Sequence, residues 1–557
     1  MTLPRVHAVQ VVHAVHVLTL LLACSPPPAA AAPTRTDHGA LIVLDVAGSY
    51  EEMGRQQAEL LGDDLRQVFA AQRRDHDRAV ERGGFGAGLL DTLGVPLWSG
   101  IGGAFEDSSF HDELAGLADG LGVPRRELMR ALLSLGGGST VFAATRSATA
   151  DGKALIGRNV DWDDDLGKRR PVVVHYRPDN GDLEHLAAGW PLVGLPTVGV
   201  NAAGFALSFN YFETDPQVGM LLPQWPHRRA LQKAHTVQEG IDIFLDARLR
   251  GISSFMVMAD AQGDIAMVEC TPSDCAVFRP DGDWFGQANH ARTPEMIPFD
   301  LYRSPDSFDR RRAVESATAR FVGELTPMNA VEVLRDRSLH PWPNASNVGN
   351  LAVLNAAVVH PASRTLWHAR SLQPVAPFGA YVGLSLGSAA PEPATIPASE
   401  WFGSAAMTRE VAVVGQARRG LHDLREDRFA SAFERFESVL GQNPPVLDPA
   451  RIALAAGYAA FRAGEPKTAE RRLAASVADD APIDVRIYGL SLQALCADAL
   501  GRRSDAAELH RRALTLIEAN PQWNEFDRVA ELAREGIRGA VTDREPVVSV
   551  YALRVPF

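Results

Sequence analysis

The sequence predicts an α+β fold: layered antiparallel strands with grouped helices in the middle of the chain, helical text before them and a helical repeat after them. The middle carries strand-like runs at 154–160, 172–177, 197–201, 206–211, 255–259, 265–270 and 275–279, with helical pattern at 237–247 and 309–325. Asn201-Ala202-Ala203-Gly204 and Ala261-Gln262-Gly263-Asp264 supply turns between neighbouring strands. Upstream, an apolar strand at 40–46 leads to Ser49, which makes a capping box with Glu52 and opens a helix running towards Arg74. Further helical pattern follows at 110–121 and 125–135. Downstream, Asp427, Gly464 and Gly501 are each 37 residues apart, as are Ala432, Ala469 and Ala506, and as are Gly420, Gly457 and Ala494. Small residues at fixed offsets in helical text are what closely packed helix pairs require.

A chain of 557 residues exceeds what one hydrophobic core organises, and its 46% apolar and 22% charged content is that of a globular protein. A net charge of -13 argues against a nucleic-acid partner, because phosphate binding needs a basic face. At the start, Arg5 precedes a short apolar run that ends at Ala23, which reads as an export signal. Leu21-Leu22-Ala23-Cys24 resembles the bacterial lipoprotein processing site, which implies a lipid anchor on Cys24 and a membrane-anchored location in the cell envelope; an ordinary signal would give a secreted or periplasmic protein. The expected organisation is a signal peptide at 1–23, a linker at 24–39, a helical segment at 40–138, a strand-rich domain at 139–387, a linker at 388–400, helical repeats at 401–540 and a tail at 541–557. The repeats resemble tetratricopeptide repeats and imply a protein partner. Cys270 and Cys275 flank Thr-Pro-Ser-Asp between two strands, where either a disulfide or two buried thiols would fit. No Cys/His cluster has zinc spacing, so no metal or other cofactor is expected.

The chemistry centres on Gly136-Gly137-Gly138-Ser139-Thr140. Serine is a weak nucleophile without a base beside it, and its own freed α-amine, with an ordinary pKa of about 7.7–8.0, could serve. Freeing that amine requires a cut immediately before Ser139, and preceding glycines permit the backbone approach such an attack needs. Thr140 is the alternative nucleophile in a shifted register.

The following text carries a resemblance. Ser139-Thr140-Val141-Phe142-Ala143-Ala144, then Ala148-Thr149-Ala150-Asp151-Gly152-Lys153, then Gly157-Arg158-Asn159-Val160-Asp161-Trp162, resembles the opening of the catalytic chain in the acyl-CoA:6-aminopenicillanate acyltransferase family, within the wider choloylglycine hydrolase group. Ser208-Phe209-Asn210-Tyr211, Gln287-Ala288-Asn289-His290 and Ser307-Phe308-Asp309-Arg310 resemble later family elements, and the likeness spans 42–386. It implies an αββα N-terminal-nucleophile sandwich acting on an acyl-amide or acyl-thioester small molecule by hydrolysis or acyl transfer. On this reading Ser139 is the nucleophile, Asn210 and Asn289 donate to the oxyanion, Asp161 orients the Ser139 amine, and Arg158 tunes the site beside a further catalytic position, Arg310. Arg158 and Asp161 would fall on opposite faces of a regular strand, so a bulge or strand end near Asn159 is expected if both reach the site. The family commonly has cysteine where this chain has Ser139. The competing reading is therefore an inactive lipoprotein scaffold that binds a protein or peptide through its repeats.

Overall fold

Alternating side chains divide the central strands between an inner and an outer apolar layer. In the strand Gly138–Ala144, Val141 and Ala143 join a core lying between two sheets, whereas Phe142 and Ala144 join a core under helices. The computed structural model describes residues 32–89, 108–132, 138–161, 170–191, 196–214, 224–246, 253–339, 346–387, 394–443, 447–542 and 545–548. The expected signal peptide, Cys24, Gly136, Gly137 and Trp162 lie outside the described residues.

Among the described residues one sheet has nine strands in the order β1 (Thr34–His38), β2 (Leu41–Gly48), β5 (Val172–Pro178), β6 (His185–Gly189), β7 (Val198–Asn201), β8 (Phe205–Tyr211), β9 (Ser254–Asp260), β10 (Ile265–Cys270) and β11 (Cys275–Phe278). The other has six, in the order β12 (Trp284–Gln287), β3 (Gly138–Ala144), β4 (Leu155–Asp161), β13 (Val353–His360), β14 (Thr365–Ala369) and β15 (Tyr381–Ser385). All pairings are antiparallel except β2 with β5. Helices α1 (Tyr50–Leu61), α2 (Asp63–Leu89), α3 (Ser108–Leu121) and α4 (Arg125–Leu132) cover the β2–β5 end of the larger sheet. Its other end lies under α5 (Gln224–Lys233) and α6 (Val237–Asp246). The smaller sheet is covered by α7 (Pro305–Ala319) and α8 (Pro327–Leu334), which completes a helix–sheet–sheet–helix stack.

Three differences from the sequence reading have local causes. Residues 34–38, read as linker, pair with β2 as β1 despite a polar Thr-Arg-Thr-Asp-His composition, because an edge strand can be held by its backbone alone. The helix opened by the Ser49–Glu52 capping box stops at Gly62, whose φ is +51°, and restarts as α2. Strands β6, β12, β14 and β15 are only four or five residues long, too short for an alternating pattern to stand out, and with β3 and β13 they lie outside the runs read as strands. Cys270 and Cys275 face each other across the β10–β11 pair and are joined by a disulfide.

The segment preceding Ser139 is woven into the fold. β2 sits inside the larger sheet, and α1 crosses α3 so closely that a Cβ on Gly54 or Gly116 would lie about 2 Å from a backbone oxygen of the other helix. Glu113 on α3 forms a buried ion pair with Arg228 on α5 and accepts from Gln57 at 2.7 Å and Tyr176 at 2.8 Å. Replacing Glu113 with Ala would leave Arg228 buried and uncompensated, a loss of about 3–5 kcal/mol. Chemical denaturation of the full chain should show that drop, while Arg66→Ala, at an exposed pair with Asp63, should shift stability by under about 1 kcal/mol.

After 400 the chain is helical in successive pairs: α9 (Ala405–Arg425) with α10 (Phe429–Gly441), α11 (Pro449–Arg462) with α12 (Pro466–Leu473), and α13 (Ile483–Ala499) with α14 (Arg503–Glu518), followed by α15 (Asp527–Arg538). Asp427, Gly464 and Gly501 each take a left-handed φ, of +54°, +82° and +75°, at the turn within a pair. Each turn makes the same bonds, the following amide returning to the carbonyls of Asp423, Ala460 and Ala497. Ala432, Ala469 and Ala506 are fully buried, so the 37-residue offset marks equivalent turns and equivalent contacts.

Candidate functional site

Ser139 is the second residue of β3 and pairs with Val160 of β4. Strand alternation turns its side chain, with Val141 and Ala143, towards the space between the sheets, and turns Thr140, with Phe142, towards α7. The two candidate nucleophiles therefore face different layers. Thr140 is fully buried and its hydroxyl accepts from Arg310 at 3.3 Å.

Arg158 shares the inward face with Ile156, and its guanidinium donates to Ser139 Oγ at 3.0 Å and to the Thr197 carbonyl at 2.5 Å. Burial pulls the Arg158 guanidinium down to about 9, against the opposing pull of Asp161. Asp161 lies at the end of β4 on the opposite, helix-facing side. There it pairs with Arg310 at 3.4 Å and accepts from Asn350 at 3.3 Å.

The irregularity expected near Asn159 is absent from β4, which pairs with β3 residue by residue from 155 to 161. It falls on the opposing strand, β13, whose register shifts between Val353 and Asn355. Asn159 instead points under α8 and donates to the carbonyls of Leu334 and Val348 at 2.9 and 2.8 Å.

In the uncut chain the Ser139 nitrogen, whose freed amine Asp161 is expected to orient, is a peptide amide and donates to Asn289 Oδ1 at 2.7 Å. The reason is positional: β12 ends at Gln287 opposite Val141, so the ladder supplies no strand partner two residues further on. Asn289 fills that gap. Its Oδ1 also accepts from Arg310 at 3.0 Å, and its Nδ2 donates to the Tyr211 carbonyl at 2.5 Å. Two donors on one atom and a carbonyl at the other fix the amide orientation. Asn210, fully buried on β8, donates through Nδ2 to the Ala288 carbonyl at 3.2 Å. Each of these side-chain amides has a second N–H hydrogen.

Arg310 on α7 binds the group together, donating to the Ser139 carbonyl at 2.6 Å as well as to Asn289 and Asp161, with Asp306 at 3.1 Å behind it. The loop carrying Asn289 is pinned by its own amides. Glu269 accepts from Arg292 and Thr293, each at 2.8 Å, and Asp300 accepts from Ala291 at 2.7 Å. Ser307 Oγ accepts the Asn289 amide at 2.8 Å and contacts His290 Nδ1. Burial among Arg311, Arg303, Arg310 and Arg292 keeps His290 well below its ordinary pKa and therefore neutral.

All six predicted positions are thus found around one strand end, Ser139 with Arg158 and Asn289 directly, and Asp161 through Arg310. Asn350, Thr197 and Ser307 complete the network; the sequence reading gave none of them a role, although Ser307 opens the Ser307-Phe308-Asp309-Arg310 element. Asn350 sits in a loop whose only signal is a pair of asparagines around Val348-Gly349, and nothing local ties it to Asp161. A small, open cleft lies beside Gly138, between Tyr211, Glu213, Tyr302 and Arg310. Among the described residues no cluster of His, Cys, Asp or Glu could hold a metal ion, and no helix is long and apolar enough to cross a membrane.

Residues 147–370 match the family model of acyl-coenzyme A:6-aminopenicillanic acid acyl-transferase, a stretch that includes Arg158, Asp161, Asn210, Asn289 and Arg310 and starts after Ser139. The chain matches no curated protein. Similar solved structures include a Caenorhabditis elegans N-acylethanolamine-hydrolyzing acid amidase ortholog, at 17% identity and a TM-score of 0.31, covering 40% of this chain and 93% of that one. Two variants of the conjugated bile acid hydrolase from Clostridium perfringens are similar at 12% identity and a TM-score of 0.30, covering 41% of this chain and 88% of theirs. Over residues 147–370, then, the chain is similar to the acyl-coenzyme A:6-aminopenicillanic acid acyl-transferase family.

Proposed function

We propose that this chain is a self-processing N-terminal-nucleophile enzyme, an acyl-amide hydrolase or acyltransferase with Ser139 as nucleophile. The observation that carries the reading is the environment of Ser139. Its hydroxyl oxygen faces a buried guanidinium, and its amide and carbonyl are gripped by Asn289 and Arg310 beside an open cleft. The family match over 147–370 supports an acyl-transfer chemistry in general terms.

In processing, Ser139 Oγ attacks the Gly138 carbonyl carbon, the Gly138–Ser139 C–N bond breaks as the amine takes the hydroxyl proton, and an ester to Oγ results. Water then hydrolyses the ester, leaving a Gly138 carboxylate and a free Ser139 amine. In turnover Oγ attacks the substrate's acyl carbon while the amine accepts the proton and passes it to the leaving amine. Asn210 and Asn289 supply the second hydrogens of their amides to the tetrahedral oxyanion. Arg158 holds Oγ and favours its developing negative charge. Asp161 acts through Arg310, keeping that guanidinium on the Ser139 carbonyl. The acyl-enzyme is resolved by water or by a second amine.

The test is fragment analysis. The purified protein should separate under denaturing conditions into two fragments, the larger one beginning Ser-Thr-Val-Phe-Ala-Ala, and the two should co-elute under native conditions because β2 and α3 remain packed in the fold. An intact chain that turns over substrate would remove self-cleavage, and an intact inert chain would favour the scaffold reading. The helix pairs with equivalent turns support a tetratricopeptide-like repeat region, and the Cys270–Cys275 disulfide supports export to an oxidising compartment.

A further inference from the structure

The segment 300–307 forms one wall of the cleft beside Gly138, contributing Tyr302, Ser304, Asp306 and Ser307. The C-terminal helices hold it. Asn524, between α14 and α15, accepts the Arg303 amide at 2.7 Å and donates to the Asp300 carbonyl. Arg303 Nε donates to the Gln522 carbonyl at 3.0 Å. One carboxyl oxygen of Glu525 accepts from Tyr302 at 2.8 Å and from Tyr488 of α13 at 2.9 Å.

This grip connects to the site through the first two turns of α7. Ser304 caps α7 through the Ser307 amide, Ser307 Oγ accepts the Asn289 amide, and Arg310 reaches the Ser139 carbonyl. A second contact flanks the site. Arg418 on α9 donates to the Leu351 carbonyl at 3.0 Å, directly after Asn350, the residue that donates to Asp161.

We propose that Asn524 and Glu525, contributed by the C-terminal helical region, are positioning residues of the Ser139 centre, fixing the Tyr302 wall of the cleft and the first turn of α7. The proposal rests on the reading of Ser139 given above and assigns the helical region a part in the site itself. Glu525 has the chemistry for it. An ionised carboxylate accepts two phenolic hydrogens more strongly than a neutral acid does, so it ties Tyr302 to Tyr488 most firmly while charged.

The groups that face Glu525 are Tyr302 on the gripped segment, Asp306 at the start of α7, and Tyr488 and Asp484 on α13, Asp484 being itself paired with Arg451 of α11. Burial raises the Glu525 carboxyl to about 7, with Asp484 and Asp306 adding to the rise and the two phenols opposing it. The folded chain therefore binds a proton there more tightly than the unfolded chain, and ionising Glu525 lowers stability as pH rises from the ordinary carboxyl range through about 7. Glu525→Gln removes that penalty, so above pH 7 it should not lower the melting temperature, which separates loss of positioning from loss of folding.

Two readouts test this in the full chain. In intact Ser139→Ala protein, adding Glu525→Gln should speed amide hydrogen exchange across 300–307, a result independent of any activity. In otherwise wild-type protein assayed with an N-acyl aminocoumarin, Glu525→Gln and Tyr302→Phe should each raise KM by roughly 3- to 10-fold with a smaller change in kcat. The wild-type KM should rise as pH falls through about 7, and that dependence should vanish in Glu525→Gln. Unchanged exchange across 300–307 would overturn the proposal whether or not the wild type is active. A wild type that neither cuts itself nor turns over the probe would overturn the Ser139 reading and leave the exchange result to decide this one.

Discussion

Ser139→Ala is expected to leave the chain as one piece and to lower turnover on the order of 10⁶-fold, the loss seen when a nucleophile acting as part of a unit is removed. The hydroxyl is the only group at that position able to attack the Gly138 carbonyl. Without it the Gly138–Ser139 bond stays intact and no free amine appears. The fold should survive, because Ser139 is held through its backbone by Asn289 and Arg310 rather than through Oγ alone. Ser139→Cys should restore the cut and part of the activity, since a thiol is intrinsically more nucleophilic. Thr140→Ala should still be cut, because Thr140 faces α7 and not the space between the sheets. Mass measurement of each variant checks all three outcomes, and a Ser139→Ala chain that still divides before residue 139 would move the nucleophile elsewhere.

Asn289→Ala is expected to lower kcat by roughly 10²- to 10³-fold, the usual loss for one oxyanion donor. The structure adds a second consequence that an oxyanion role alone does not give. Asn289 Oδ1 accepts the Ser139 amide and an Arg310 N–H, so its removal also frees the residue that must attack, and processing should slow together with turnover. Asn210→Ala removes a donor to the Ala288 carbonyl that does not hold Ser139 itself among the described contacts, and should lower kcat while leaving processing closer to wild type. Time courses of fragment appearance, read beside kcat on mature protein, separate the two. Equal processing rates in both variants would limit Asn289 to an oxyanion role.

The residues that organise the site were mostly legible as letters, while the reasons they meet were not. Arg158 and Asp161 stand out in a short polar string, and strand alternation alone shows that they cannot share a face of β4. What reconciles them is Arg310, which arrives from a helix 149 residues beyond Asp161 and bridges it to the Ser139 carbonyl. Asn289 reads as a turn residue. Its hold on the Ser139 amide follows from β12 stopping at Gln287, and a strand end is set by sheet packing rather than by its own sequence.

The 37-residue offset behaved differently, because Asp427, Gly464 and Gly501 each need a left-handed φ and each sits beside a small-residue contact within one helix pair. Those requirements are local, so the sequence states them directly. The sequence by itself determined the layered α+β class, the Ser49 capping box and the spacing of the helix pairs, since period, caps and turn residues act over a few positions. Only the tertiary structure decided that the segment before Ser139 supplies strands to the larger sheet, and that Glu525 and Asn350 stand behind the candidate site. Those pairings close loops of about 130 (Ile42 with Val172), 189 and 223 residues, and their free energy comes from buried contacts that no local pattern encodes.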